Sequence, residues 1–273
     1  MSSEFPPATW DAAAIEKTLP HRYENIVLDH CHGDGSGAGT FSLDIGNDDA
    51  RNIFSLNLDE QRYLIPSISI EVIALAAICC MSLRFPNPKA FFAGISNFQS
   101  SGYLDLSQPL KGELEPGQVK RSFYKFKGKL TDHRGNEASA QLTAFFSDQY
   151  LEIPSVDPGA APENLSLVPE PSYKSPDMFL IDGLISTSDS EISASYQYPT
   201  EHPLCKGHFP GNPLMMGVMQ WMMIEDLAYA FALSNGICGN ETLVGSAIIT
   251  RSDGAVVSQI QDARIEITAD TSG

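Results

Sequence analysis

A chain of 273 residues, 42% apolar and 19% charged, holds enough material for one large core or two of ordinary size. Its formal net charge of -17 argues against nucleic acid and anionic membrane surfaces as partners of the whole molecule. Five cysteines (Cys31, Cys79, Cys80, Cys205 and Cys238), odd in number and without a C-x-x-C pair, read as reduced thiols and argue against a disulfide framework.

The N-terminus lacks the basic start and apolar stretch of a signal peptide. The longest apolar runs, near residues 68–81 and 214–224, carry polar residues and are too short to span a bilayer. The expectation is a soluble, cytoplasmic protein. Residues 25–31 (NIVLDHC) and 37–45 (GAGTFSLDI) alternate as half-buried strands do. Residues 65–85 are rich in Ala, Leu and Ile and long enough for a helix, closed by Pro86 and Pro88. Strands follow at 90–99, 119–132 and 137–148, with a DHRGNE turn between the last two. Residues 154–176 contain six of the 18 prolines and no periodicity, and read as a linker. Beyond it come strands at 178–186 and 191–199, an apolar helix beginning near Met216, and strands at 242–251 and 261–269. One helix against an antiparallel sheet, written twice, predicts an α+β fold. The division is residues 1–153, linker 154–176 and residues 177–273, the second repeat lacking a final strand pair.

Three stretches, IEKTLPHRYENIVLD (15–29), FFAGISNFQ (91–99) and GHFPGNPLMMG (207–217), resemble the hot-dog-fold β-hydroxyacyl-acyl carrier protein dehydratases. Met216 stands where that family's signature has its last proline. The resemblance implies a double hot-dog, each repeat an antiparallel β-sheet wrapped around a central α-helix. In that family the histidine and the acid of one site come from different subunits of a dimer. The acid lies fourteen residues beyond the histidine, which here is Met222. The first half lacks the GHFPG stretch; LNLDEQRYLIPS stands in its place. Its helix, however, carries Glu71 within one residue of the family's acid position. The resemblance therefore implies one composite site per chain, with His208 as base and Glu71 as acid.

The residue types suit elimination of water from a 3-hydroxyacyl thioester. A neutral imidazole can remove the α proton near neutral pH. Glu71 is the one ionisable residue between Tyr63 and Arg84 apart from two thiols, so its helix should bury it and keep it protonated. The start of that helix, at Ser67 or Ile68, is the expected donor to the thioester oxygen. Phe209, Pro210 and Gly211 are expected to hold the histidine loop. Lys120, Arg121, Lys125, Lys127 and Lys129 form a basic stretch, three of them at strand period, that could dock an acidic acyl carrier protein.

No cofactor or metal is expected. His30 and His32 flank Cys31, but alternation along a strand splits these donors between two faces. His202 is read as loop decoration, and Glu225 and Asp226, one turn beyond Met222, as a substitute acid or a polar helix face. The resemblance implies (3R)-hydroxyacyl thioesters of acyl carrier protein or coenzyme A as substrates, converted to trans-2-enoyl thioesters in lipid, polyketide or polyunsaturated fatty-acid synthesis. The chain would work as a homodimer of double hot-dogs or as a module of a larger synthase. The alternatives are a non-catalytic acyl-carrier-binding hot-dog protein and a hot-dog acyl thioesterase.

Overall fold

The alternating stretches after residue 88 become the longest strands of a sheet that curls around one apolar helix. The computed structural model describes residues 6–46, 48–85, 89–120, 122–147, 162–199, 201–211, 214–237 and 241–267. The chain forms two compact units, Met1–Leu151 with Glu201–Met215, and Glu152–Thr200 with Met216–Gly273.

The first unit opens with β1 (Ala8–Trp10) and α1 (Ala12–Thr18), whose N-cap Asp11 accepts the Ala14 N–H at 2.9 Å. Then come β2 (His30–Gly33), β3 (Gly39–Leu43), β4 (Ser55–Leu58), β5 (Gln61–Leu64) and α2 (Ile68–Ser82). β6 (Lys89–Ser100), β7 (Leu104–Asp105), β8 (Leu110–Lys120), β9 (Phe123–Thr131) and β10 (Glu137–Ser147) follow. Seven strands form one antiparallel sheet in the order β1-β2-β3-β8-β9-β10-β6, and β4, β5 and β7 form a small second one.

Every residue of α2 from Ile68 to Met81 is buried, so this helix has no solvent face to mark with polar residues. It packs against β2, β3, β8, β9 and β10. On β9, Phe126, Gly128 and Leu130 are buried while Lys125 and Lys127 are exposed, which is strand alternation with one face on the helix. Gly128 sets how near the helix can come. A Cβ there would lie 2.3 Å from Ile73 Cγ2.

Three expectations for this unit shift. The single strand expected at 119–132 takes in the end of β8 and the whole of β9, which pair antiparallel, and β8 before Val119 was not expected. The strand expected at 25–31 begins only at His30. Upstream, the 3-10 turn Tyr23–Asn25 engages the backbone locally, with Ile26 N–H donating to the Tyr23 carbonyl. The LNLDEQRYLIPS stretch, for which no element was expected, folds as the β4–β5 hairpin. Its turn residues Asp59 and Glu60 both have positive φ (48° and 62°), as a two-residue type I′ turn requires.

The second unit contains β11 (Gly183–Thr187), β12 (Ile192–Ser195), α3 (Gly217–Ser234), β13 (Glu241–Thr250) and β14 (Val256–Ile267). β11 pairs with β12 and β13 with β14, both antiparallel, and α3 packs against β12, β13 and β14. Phe179, Ile181, Leu184 and Ala230 form its small core. The described end of the proline-rich linker is not a free tether. Ser166 exchanges backbone hydrogen bonds with Leu184, and Lys174 is buried with its Nζ 2.6 Å from Asp226 Oδ1.

Asp226 also accepts the Leu180 N–H at 2.8 Å. Burial lifts its carboxyl above the ordinary carboxylate range despite the adjacent ammonium, the balance expected when desolvation outweighs ion-pair attraction. Removing one partner strands the other charge. Asp226→Ala is expected to lower stability by about 3–5 kcal/mol, measured by urea denaturation. The apolar double variant Lys174→Met/Asp226→Leu should recover most of that loss.

Candidate active site

The loop before α3 is tied to the first unit through its backbone. Arg22 N–H donates to the Gly207 carbonyl at 3.0 Å, and Asn25 Nδ2 donates to the Leu204 carbonyl at 3.1 Å. A Cβ on Gly207 would sit 2.1 Å from the Arg22 carbonyl oxygen, so this approach needs glycine. The next residue is His208. Leu214 N–H donates to its carbonyl at 2.7 Å, and its own Nδ1 lies 3.1 Å from the Leu214 carbonyl. A carbonyl only accepts, so Nδ1 carries the hydrogen and Nε2 of the neutral ring keeps its lone pair. Phe209 is buried and stacks on the imidazole, with ring centroids 4.1 Å apart; the peptide between the two is cis. Pro210 is exposed, and Gly211 takes a left-handed φ of +76° that suits glycine.

Glu71 lies in the first turn of α2 with 9% exposure. The positive end of a helix favours a carboxylate, yet burial wins and raises the carboxyl from 4.5 to about 7. Burial moves His208 the other way, from 6.5 to about 4, partly offset by its bond to Leu214. At pH values between these the acid is protonated and the imidazole neutral.

A third residue joins them, one to which no role was assigned in the sequence. His21, in the LPHRY stretch, is 3% exposed and has its Nε2 3.6 Å from Glu71 Oε1. Its ring centroid lies 5.0 Å from that of His208 and 5.0 Å from that of Phe209. One side-chain donor atom from each of His21, Glu71 and His208 falls within 4.8 Å of the other two. A histidine between Pro20 and Arg22 carries no periodic signal, so only its place in the LPHRY resemblance could have pointed to it.

By donor type this trio could also take a metal ion. A metal-bound imidazole ordinarily donates its second nitrogen to a carbonyl or carboxylate. His208 does so to Leu214, whereas His21 Nδ1 is buried without a partner. The trio therefore suits proton transfer better than metal binding.

The Ile68 N–H, expected to face the thioester oxygen, already donates to the Ile65 carbonyl at 2.9 Å. The Ser69 and Ile70 amides are likewise engaged, by Pro66 and Ser67, because the helix opens with 3-10-type bonds. Ser67 is the N-cap residue and is buried. Met222 is buried on α3. Asp226 is committed to Lys174 and Leu180, which removes it as a substitute acid, and Glu225 is half-buried beside it. His202 is not loop decoration, since it is buried and its Nδ1 accepts the Leu204 N–H.

Of the basic stretch, Lys120, Lys125 and Lys127 are exposed. Lys129 lies 3.2 Å from Glu113 and 3.9 Å from Glu137, and Arg121 falls outside the described residues. A separate groove of about 590 Å³ on the sheet is lined by Thr9, His30, His32, Lys111, Glu113 and Lys129 among others. His30 and His32 are exposed and Cys31 is buried, so those donors are divided, and His32 Nδ1 pairs with Thr9 Oγ1 at 2.9 Å.

No protein-family model matches the chain, and no curated protein does. Solved structures do. A dehydratase from type I polyketide synthases matches 90% of this chain and 100% of its own, at 13% identity and a TM-score of 0.53. The dehydratase domain of RzxB from Pseudomonas fluorescens matches 89% of this chain and 99% of its own, at 11% identity and a TM-score of 0.48. That of PpsC from Mycobacterium tuberculosis matches 88% and 98%, at 16% identity and a TM-score of 0.47. At such identities the first of these likenesses bears on fold alone, and with the α+β elements above it gives this chain the double hot-dog architecture of polyketide synthase dehydratase domains.

Proposed function

We propose that the chain is a hydro-lyase that converts (3R)-hydroxyacyl thioesters to trans-2-enoyl thioesters, with His208 as base and Glu71 as acid. Its chief support is the cluster in which the half-buried His208, its Nδ1 3.1 Å from the Leu214 carbonyl, and the buried Glu71 carboxyl, raised to about 7, bring donor atoms within 4.8 Å of each other. In the forward direction His208 Nε2 takes the α proton while the Cβ–O bond breaks. Glu71 gives its proton to the departing oxygen, so water leaves and an imidazolium faces a carboxylate. Return of that proton from His208 to Glu71 resets the pair. The positive end of α2, one turn from Glu71, favours the negative charge that develops there.

The acyl group arrives as a thioester of acyl carrier protein or coenzyme A. Lys120, Lys125 and Lys127 offer an acidic carrier a local positive face on a chain of net charge -17. Lys129 contributes less, since Glu113 and Glu137 already balance it.

His208→Ala and Glu71→Gln are each expected to slow hydration of a crotonyl thioester, followed optically, by about 10²–10⁴-fold. Met222→Ala should retain the rate. Release of free thiol by the wild type would point to a thioesterase. Thioester binding without turnover would point to a carrier-binding protein.

The pH profile has a fixed sign. Activity needs His208 neutral and Glu71 protonated, so the rate should fall below about 4, where the imidazole gains a proton, and above about 7, where the carboxyl loses one. Hydration draws on the same singly protonated pair, so kcat/KM in that direction should trace the same bell. In Glu71→Gln the alkaline limb should vanish from whatever rate remains.

A further inference from the structure

We propose that His21 is a positioning residue of this site, aiming the Glu71 carboxyl through its Nε2–H and walling one side of the His208 ring. The kinetic part of this inference rests on the dehydratase reading; the structural part does not. A buried histidine with an unpartnered nitrogen is a poor choice for filling space, since phenylalanine or leucine would fill it without leaving a polar atom unsatisfied. His21 is 3% exposed and its Nδ1 has no partner among the described residues.

What distinguishes the position is its other nitrogen, 3.6 Å from Glu71 Oε1. With its hydrogen on Nε2, His21 faces the accepting oxygen of a protonated carboxyl. The hydroxyl-bearing oxygen is then left for the departing group. At 3.6 Å the two atoms stand just beyond hydrogen-bond length, and a shift of about 0.5 Å would bring them within it.

The surroundings hold His21 in the neutral form this task requires. Burial is the largest influence lowering its basicity, followed by His208 and Arg22. The Arg22 guanidinium is itself tied to the Leu19 and His21 carbonyls. Among the described residues, the titratable groups facing the carboxyl are His21, from the loop after α1, and His208, from the loop before α3. Both are neutral donors or walls, and neither supplies a fixed charge. The link between the loops is built into the backbone, since Arg22 N–H holds the Gly207 carbonyl one residue from each imidazole. One backbone hydrogen bond therefore holds the two loops together beside both imidazoles.

The test uses two variants of the full chain. His21→Phe fills the volume but has no N–H; His21→Gln restores a donor. On a crotonyl thioester, His21→Phe should lower kcat about 10–100-fold with KM within about threefold, and His21→Gln should recover most of kcat. A carbon NMR titration of the Glu71 carboxyl reads the structural part without turnover. Losing a donor that favours the carboxylate should raise its midpoint in His21→Phe by about half a unit or more. A purely space-filling role predicts wild-type kcat and an unmoved midpoint, and that result overturns the inference. A raised midpoint in a chain whose wild type turns over no thioester would leave the hold on Glu71 standing and sink the dehydratase reading instead. Wild-type turnover with an unaffected His21→Phe would sink the inference alone.

Discussion

A carboxyl group buried at the start of an apolar helix, with no cation beside it among the described residues, is the constraint from which the rest of this site follows. Glu71 has imidazoles for neighbours where a stability-driven fold would place lysine or arginine. Desolvation without a compensating charge favours the protonated form, and a protonated carboxyl in a dry pocket is a proton donor. Burial also lowers His208 to about 4, so one physical cause would prepare the proposed acid and the proposed base together. At pH 5 to 6 in water both groups would ionise.

Asp226 is the useful contrast. It too is an acid on an apolar helix, buried to a similar degree. Opposite it stands Lys174, and the pair, with the Leu180 amide, ties a segment between the repeats to α3. The difference between a structural carboxylate and a candidate acid therefore lies in what faces the group. That partner is set by tertiary structure, and in the Lys174–Asp226 pair it sits 52 residues away.

This marks the limit of what the residues alone reveal. Helices α2 and α3 were legible as long apolar runs, whereas the seven-residue α1 was not read. Glu71 was legible as a lone ionisable group in an apolar stretch, and His208 through the loop around it. Strands β6, β9 and β10 were legible from their β-rich composition, whereas β8 was read only at its last residues, within the stretch taken as 119–132. The β4–β5 hairpin was not, because Asp59 and Glu60 adopt positive φ without the Asn-Gly signal that usually announces such a turn. His21 was not, because a single histidine beside a proline has no period and its neighbours are assembled by the fold. Nor was the engagement of the Ile68 amide, which depends on the helix opening with 3-10-type bonds where free donors were expected.

The protonation state of Glu71 can be observed directly. Infrared difference spectra between wild type and Glu71→Gln should show the carbonyl stretch of a protonated carboxyl in mildly acidic buffer, giving way to carboxylate bands as pH rises through about 7. Carboxylate bands alone at pH 5 to 6, well below that midpoint, would contradict the account, because an ionised Glu71 has no proton to give.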